Sequence, residues 1–149
     1  MVGAPDLYTY GAMRIGGVIR DSGFHPIITR DITKLSGDMV FLSLYSTLHL
    51  LDPVVKKTVQ KIKQEGGTVI VGGPVSSGPE MIMGELSPDL IVCGEGEKAV
   101  SCIMSGQEIN ECPNCAFVED EKLIFSRQQR SEELVCPLPL IPDDIGNQD

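Results

Sequence analysis

Short apolar runs alternate with amphipathic stretches along the first two thirds of this chain. Residues 39–42 are continuously apolar, and residues 68–71 and 89–93 are rich in β-branched and aliphatic side chains. A strand without a polar face is buried on both sides, which is typical of a parallel sheet covered by helices. The alternation of such strands with helices therefore predicts an α/β fold with a doubly wound parallel sheet of Rossmann or flavodoxin type.

Turn and capping residues set the boundaries of about five strands and four helices. Asp52 and Pro53 suit the cap and first turn of a helix, which ends before Gly66 and Gly67. Pro26 places its strand at an edge of the sheet, because proline cannot donate to a ladder. The predicted strands are residues 2–5, 25–28, 39–42, 68–71 and 89–93, and the predicted helices are residues 11–22, 53–65, 79–86 and 97–105. The predicted core face of the second helix comprises Val54, Val55, Thr58, Val59 and Ile62.

Composition argues against several classes of partner. The 149 residues carry a net charge of −9 and a pI near 4.6, whereas nucleic acids and anionic membrane surfaces require clustered Lys and Arg. The one dense basic patch is typical of the solvated face of a helix; it comprises Lys56, Lys57, Lys61 and Lys63. No run approaches the roughly 20 apolar residues of a membrane span, and no signal peptide is evident. With five unevenly spaced cysteines, the chain is expected in the reducing cytoplasm.

The chain changes character after Gly106. Residues 115–118 and 122–125 flank three acidic residues and predict a small hairpin. Residues 136–142 are rich in proline, which is typical of an extended tail. We therefore expect an α/β domain over residues 1–106, a hairpin extension packed on it over residues 107–130, and a linker over residues 131–149.

Four loops stand where such a fold would hold a ligand. Open parallel sheets bind ligands beyond the carboxyl ends of their strands, and the loops at that position are residues 6–11, 43–49, 72–78 and 94–97. The second loop is rich in hydroxyl groups. The third and fourth are rich in glycine, which lets a ligand approach the backbone closely.

Three of these loops carry motifs that resemble those of cobalamin-binding domains. The run D-L-Y-T-Y-G at residues 6–11 is similar to D-x-H-x-x-G, the run S-L-Y at residues 43–45 is similar to S-x-L, and the glycine pair at residues 72–73 is similar to G-G. The runs G-G-P at residues 72–74 and G-E-G-E at residues 94–97 also resemble loops in the N-terminal domain of B12-binding radical SAM proteins. This resemblance covers most of residues 6–126, and the proline-rich tail resembles the linker into the radical SAM barrel.

The resemblance implies the cobalamin-binding module of a larger enzyme that also carries a 4Fe-4S cluster and S-adenosylmethionine and transfers methyl groups. The C-x-x-x-C-x-x-C run that holds such a cluster is absent, so the chain is not expected to be catalytic alone. Its implied partner is a C-terminal radical SAM domain of the same polypeptide. The corrin would lie over residues 8–11 and 43–47, with the nucleotide tail beside residues 72–73. The implied cofactor-binding residues are Tyr8, Thr9, Tyr10, Gly11, Ser43, Leu44, Tyr45, Ser46, Thr47, Gly72, Gly73, Pro74, Gly94, Glu95 and Gly96.

Tyr8 stands where the family motif has its cobalt-ligating histidine. A neutral phenol is a poor ligand, so the resemblance implies cobalamin bound without a histidine beneath cobalt, its lower face open or occupied by water. His25 lies on the predicted edge strand, away from the four loops. His49 lies in the second loop and is the better alternative ligand.

Other interpretations stay open at this stage. The domain could keep the fold, lose the cofactor and serve as an interaction surface. A flavodoxin-like FMN module is less favoured, because no hydroxyl-rich phosphate loop follows the first strand, and a phosphoacceptor receiver domain lacks its aspartate where Ser43 stands. The pair Cys112 and Cys115 supplies only two of the four ligands that zinc requires, so we expect no metal site.

Overall fold

The computed structural model describes residues 1–129 and 138–142. Its strands are β1 (Val2–Gly3), β2 (Ile28–Thr29), β3 (Met39–Ser43), β4 (Thr68–Gly72), β5 (Leu90–Val92), β6 (Cys115–Glu119) and β7 (Lys122–Phe125). Its α-helices are α1 (Tyr10–Asp21), α2 (Pro53–Gln64), α3 (Pro79–Leu86) and α4 (Glu97–Met104). Within this part of the chain, no helix combines the length and the apolar character needed to cross a bilayer.

All seven strands form one sheet in the order β2-β1-β3-β4-β5-β6-β7. The first five are parallel, and β6 and β7 are antiparallel. The strand order reverses between β1 and β3, which is the topological switch point where doubly wound sheets bind ligands. The predicted α/β class is confirmed. The second strand lies at an edge of the sheet as predicted, but it covers Ile28–Thr29 instead of residues 25–28, so Pro26 precedes the strand.

Helices cover both faces of the sheet and divide the core into two clusters. Val40, Val69 and Ile91 face α2 and α3, whereas Phe41 and Ile70 face α1 and α4. Continuously apolar strands are explained by this arrangement, because successive side chains point to opposite buried faces.

Helix α2 begins and packs almost as its sequence predicts. The Asp52 side chain accepts a hydrogen bond of 2.9 Å from the backbone N–H of Val54, and Pro53 occupies the first turn. The buried face comprises Val55, Thr58, Val59 and Ile62. Val54 was predicted in this face but is 46% exposed, because a residue next to the cap lies on the first turn beside the loop.

The predicted hairpin forms and extends the sheet. Strand β6 pairs with β5, and β7 pairs with β6, so the hairpin continues the parallel sheet at the β5 edge. Asp120 and Glu121 connect the two strands with φ of 50° and 63°, as a two-residue turn of type I′ requires.

The described part of the tail, residues 138–142, lies along α1 and is called the strap here. The Leu140 backbone N–H donates to the carbonyl of Met13 at 2.8 Å, and Arg20 Nη2 donates to the carbonyl of Leu138 at 2.7 Å. A Cβ at Gly17 would collide with that Leu138 carbonyl oxygen. Glycine in a helix costs about 1 kcal/mol relative to alanine, and the close approach of the strap explains why it is present. The rest of the predicted linker, residues 131–137 and 143–149, lies outside the described residues.

Gly17→Ala should displace the strap and destabilise the fold. We expect a variant at least about 1 kcal/mol less stable than Gly84→Ala, because the added Cβ overpacks one helix while Gly84 lies in α3 with nothing within 4 Å of its Cβ position. Urea unfolding of the two variants measures the difference. Hydrogen exchange at the Leu140 amide should become faster in Gly17→Ala alone. Equal stability and unchanged exchange would contradict the packing described.

Candidate functional site

A cavity of about 410 Å³ opens at the carboxyl edge of the sheet, between α1 and α4. Val2, Phe41, Ile70 and Val92 contribute its apolar floor, and they belong to the core cluster on this face. The volume lies within the range of small-molecule sites, about 300–1,000 Å³. All four loops that the sequence singles out contribute to its lining, through Gly11, Ser43, Gly72, Gly73, Gly94, Glu95, Gly96 and Glu97.

Gly72 and Gly73, at the end of β4, leave cavity volume free and let two loops pack closely. Gly73 has a φ of +99°, and a Cβ there would lie 2.5 Å from the carbonyl oxygen of Leu44. The loop after β4 therefore packs against the loop after β3 through bare backbone, and the Leu44 N–H donates to the Gly72 carbonyl at 2.9 Å. A Cβ at Gly72 would have no neighbour closer than 3.7 Å, so its missing side chain leaves usable volume.

Two hydroxyl groups join the first and second loops. Thr9 caps α1, with its Oγ1 accepting a hydrogen bond of 3.1 Å from the Ala12 N–H. The same Oγ1 lies 3.4 Å from Oγ of Ser43, at the end of β3. Ser43 lines the cavity, so this contact fixes the start of α1 relative to a hydroxyl group of the cavity lining.

An ion pair spans the two helices that flank the cavity. Arg14 Nη2 on α1 lies 2.7 Å from Glu97 Oε1 at the start of α4, with side-chain exposures of 27% and 23%. Arg14 also places its guanidinium 5.8 Å from the centre of the Tyr10 ring. Among the described residues that line the cavity, Arg14 is the only cationic one.

Tyr8 packs toward β2. Tyr8 is half-buried, and its ring centre lies 5.6 Å from the guanidinium carbon of Arg30. Tyr8 is not among the residues that line the cavity.

The two histidines have different surroundings. His49 stacks edge-on against Tyr45 with 4.4 Å between ring centres, and its buried Nδ1 has no hydrogen-bond partner among the described residues. Tyr45 in turn donates from its hydroxyl to the Pro5 carbonyl at 2.8 Å. His25 is exposed and precedes β2, at the amino edge of the sheet.

The remaining predicted site residues do not line the cavity. Leu44 is fully buried in the opposite core cluster, and Ser46 caps a short 3₁₀ turn, Thr47–Leu50, by accepting from the Leu48 N–H. Pro74 begins a second 3₁₀ turn, Pro74–Ser77. Tyr10 and Thr47 are exposed at the same edge.

Several residues that line the cavity lie outside the four predicted loops. Ala12 and Ile15 line the cavity from α1, and Val100 lines it from α4. Helical spacing could have identified these residues. Where a helix begins at a candidate loop, the residues three and four positions after the loop lie on the same side of the helix as the loop.

The cysteine pair is buried on the α4 side of the core. Cys112 and Cys115 are both buried, and burial raises the pKa of each thiol to about 12. In the described part of the chain, no three His, Cys, Asp or Glu side chains are grouped so as to hold a metal ion.

A curated protein is similar to this chain over nearly the whole of the chain. No protein-family model matches the chain. A protein of Methanocaldococcus jannaschii, named as a putative methylthiotransferase, is 36% identical, and the match covers 97% of this chain and 33% of that protein. The chain therefore spans about a third of the length of the curated relative it matches.

Solved structures of the radical S-adenosylmethionine methyltransferase TsrM from Kitasatospora setae share the fold. TsrM with tryptophan substrate and a SAM analog matches with a TM-score of 0.68 at 15% identity, over 85% of this chain and 29% of TsrM. TsrM with cobalamin and a 4Fe-4S cluster bound matches with a TM-score of 0.66 at 14% identity, over 95% of this chain and 31% of TsrM. These matches bear out the α/β arrangement described above.

Cys112 and Cys115 should resist alkylation in the folded protein. Thiolates are the reactive form, and a pKa of about 12 keeps both groups protonated at pH 8. Iodoacetamide at pH 8, followed by peptide mass spectrometry, should leave both unmodified. Unfolding in guanidinium chloride should return them to an ordinary pKa of about 8.5 and make both reactive. Rapid modification of either thiol in the native protein would contradict its burial.

Proposed function

We propose that this chain is the cobalamin-binding module of a radical SAM enzyme. The observation that carries the proposal is the cavity at the carboxyl edge, to which all four predicted loops contribute. The name of the curated relative and the cofactors bound to TsrM support it.

The cavity suits the nucleotide tail of cobalamin, and the exposed edge of the sheet suits its corrin ring. The cavity is lined mainly by glycines and apolar side chains, with the Arg14–Glu97 pair at its wall, and a flat heteroaromatic base such as that of the nucleotide tail suits its apolar part. The corrin ring is too broad for it and would lie across the edge. Leu7, Tyr10 and Leu48 are 44%, 59% and 72% exposed there, and they offer apolar surface to the ring.

The surroundings of Tyr8 support binding without a protein nitrogen beneath cobalt. The Tyr8 ring packs with Arg30, and His49 packs against Tyr45. The role of this chain would be to hold the cofactor through backbone amides and the Ser43 hydroxyl group.

Bound cobalamin would supply a carrier for a methyl group. Within the whole enzyme, S-adenosylmethionine and a 4Fe-4S cluster would belong to a C-terminal radical SAM domain. Residues 1–106 would form the cobalamin-binding domain, residues 107–130 its hairpin, and residues 131–149 the linker to the C-terminal domain. The strap supports this arrangement because it runs from Arg20 toward Met13, which leads the chain toward the carboxyl edge. Such an enzyme would work in the reducing cytoplasm.

A module that has lost the cofactor and serves as an interaction domain is the second candidate. Leu48 and Leu51 are 72% and 60% exposed at the carboxyl edge, and an apolar edge of this kind could also bind a protein domain. A flavodoxin-like FMN module is less favoured, since no hydroxyl-rich phosphate loop follows β1.

Titration with hydroxocobalamin, followed by desalting, tests the proposal. We expect the purified chain to retain the corrinoid. Gly72→Leu should weaken binding about tenfold or more, because the new side chain would fill cavity volume, while Gly84→Leu on the exposed face of α3 should bind as the parent does. No retention by the parent chain would favour the interaction-domain candidate, and absorbance of a bound flavin would favour the FMN candidate.

Electron paramagnetic resonance of bound cob(II)alamin tests the lower face. With tyrosine at position 8, we expect no superhyperfine splitting from an axial nitrogen. The variant Tyr8→His should introduce that splitting if residues 6–11 lie beneath the corrin. A nitrogen signal in the parent chain that is lost in His49→Ala would instead assign the ligand to His49.

A further inference from the structure

We propose that Arg14 binds the phosphodiester of the nucleotide tail, and that its ion pair with Glu97 is a latch that opens when the tail enters. This inference rests on the proposed function. It names the residue that would recognise the one anionic group of the cofactor that must reach the cavity.

The ion pair between Arg14 and Glu97 bridges the cavity. Arg14 and Glu97 both line the cavity, and the 2.7 Å contact between them joins α1 to α4 across it. A ligand that enters between these helices from the carboxyl edge meets the ion pair. Because both side chains are partly exposed, such a pair contributes little stability and can exchange partners at low cost.

Carboxylates in the cavity lining disfavour an anionic ligand. Glu95 and Glu97 both line it, so a phosphodiester placed there would be repelled by carboxylates unless a cation intervened. Arg14 is the cation available in the described lining. Guanidinium groups bind phosphate oxygens through two parallel hydrogen bonds, which makes arginine the preferred partner for this group.

Glu97 has a second favourable interaction, with its own helix. Glu97 is the first residue of α4, where a carboxylate interacts favourably with the helix dipole. Glu97 therefore remains stabilised when Arg14 leaves it. When the phosphodiester replaces Glu97 as the partner of Arg14, the helix dipole still stabilises the Glu97 carboxylate.

Two corrinoids separate recognition of the phosphodiester from binding of the ring. Hydroxocobalamin carries the nucleotide tail, whereas diaquocobinamide retains the corrin and lacks the nucleotide and its phosphodiester. We expect Arg14→Met to weaken hydroxocobalamin about tenfold, as loss of a charged hydrogen bond does, and to leave cobinamide affinity unchanged. Glu97→Gln should tighten hydroxocobalamin by up to about fivefold, because the competing carboxylate is removed, again without effect on cobinamide.

Lys57→Met is the matched control, since it removes an exposed cation from α2 on the opposite face of the sheet. It should alter neither affinity. Equal weakening of both corrinoids by Arg14→Met, no weakening at all, or weaker hydroxocobalamin binding in Glu97→Gln would overturn the latch and leave the proposed function intact. Failure of the parent chain to retain either corrinoid would overturn the proposed function, and the latch with it.

Discussion

The parallel pairing of β1 with β3 is the constraint on which the candidate site depends. β1 has only two residues, Val2 and Gly3, yet it pairs with β2 on one side and β3 on the other. This register brings the loop after β1 beside Ser43 and places the start of α1 at the same edge. Helix α1 must then cover the apolar face that Val2 and Phe41 present, and the space left between α1 and α4 is the cavity.

Local sequence patterns predict most of the fold because its signals are local. Continuously apolar strands, the Asp52 cap and the two-residue turn of the hairpin each depend on residues that are close together in the chain. The carboxyl-edge loops follow from the same reasoning, because parallel strands bring the ends of all strands to one edge. The division between lining and surrounding residues could not be predicted, since Leu44 points into the opposite core cluster while Ser43 faces the cavity.

The features that local sequence patterns do not predict depend on contacts between residues far apart in the chain. The Arg14–Glu97 pair joins residues 83 positions apart, and it depends on how closely α1 and α4 approach on the sheet. Ala12 and Ala99 are both buried on this face, and their small size permits that approach. The strap also depends on a long-range contact. A proline-rich tail indicates an extended chain, and Gly16 and Gly17 in α1 are the local sign that a segment packs against that helix.

The strap also determines how α1 would respond to a force on the C-terminal tail. The helix is held between the sheet and the strap, through the Leu140–Met13 and Arg20–Leu138 hydrogen bonds. A force on the C-terminal tail would load these bonds in shear along the helix axis, and the same helix carries Thr9 at its start and Arg14 at the cavity wall. Motion of polypeptide beyond the strap would therefore act on the wall of the cavity that α1 forms.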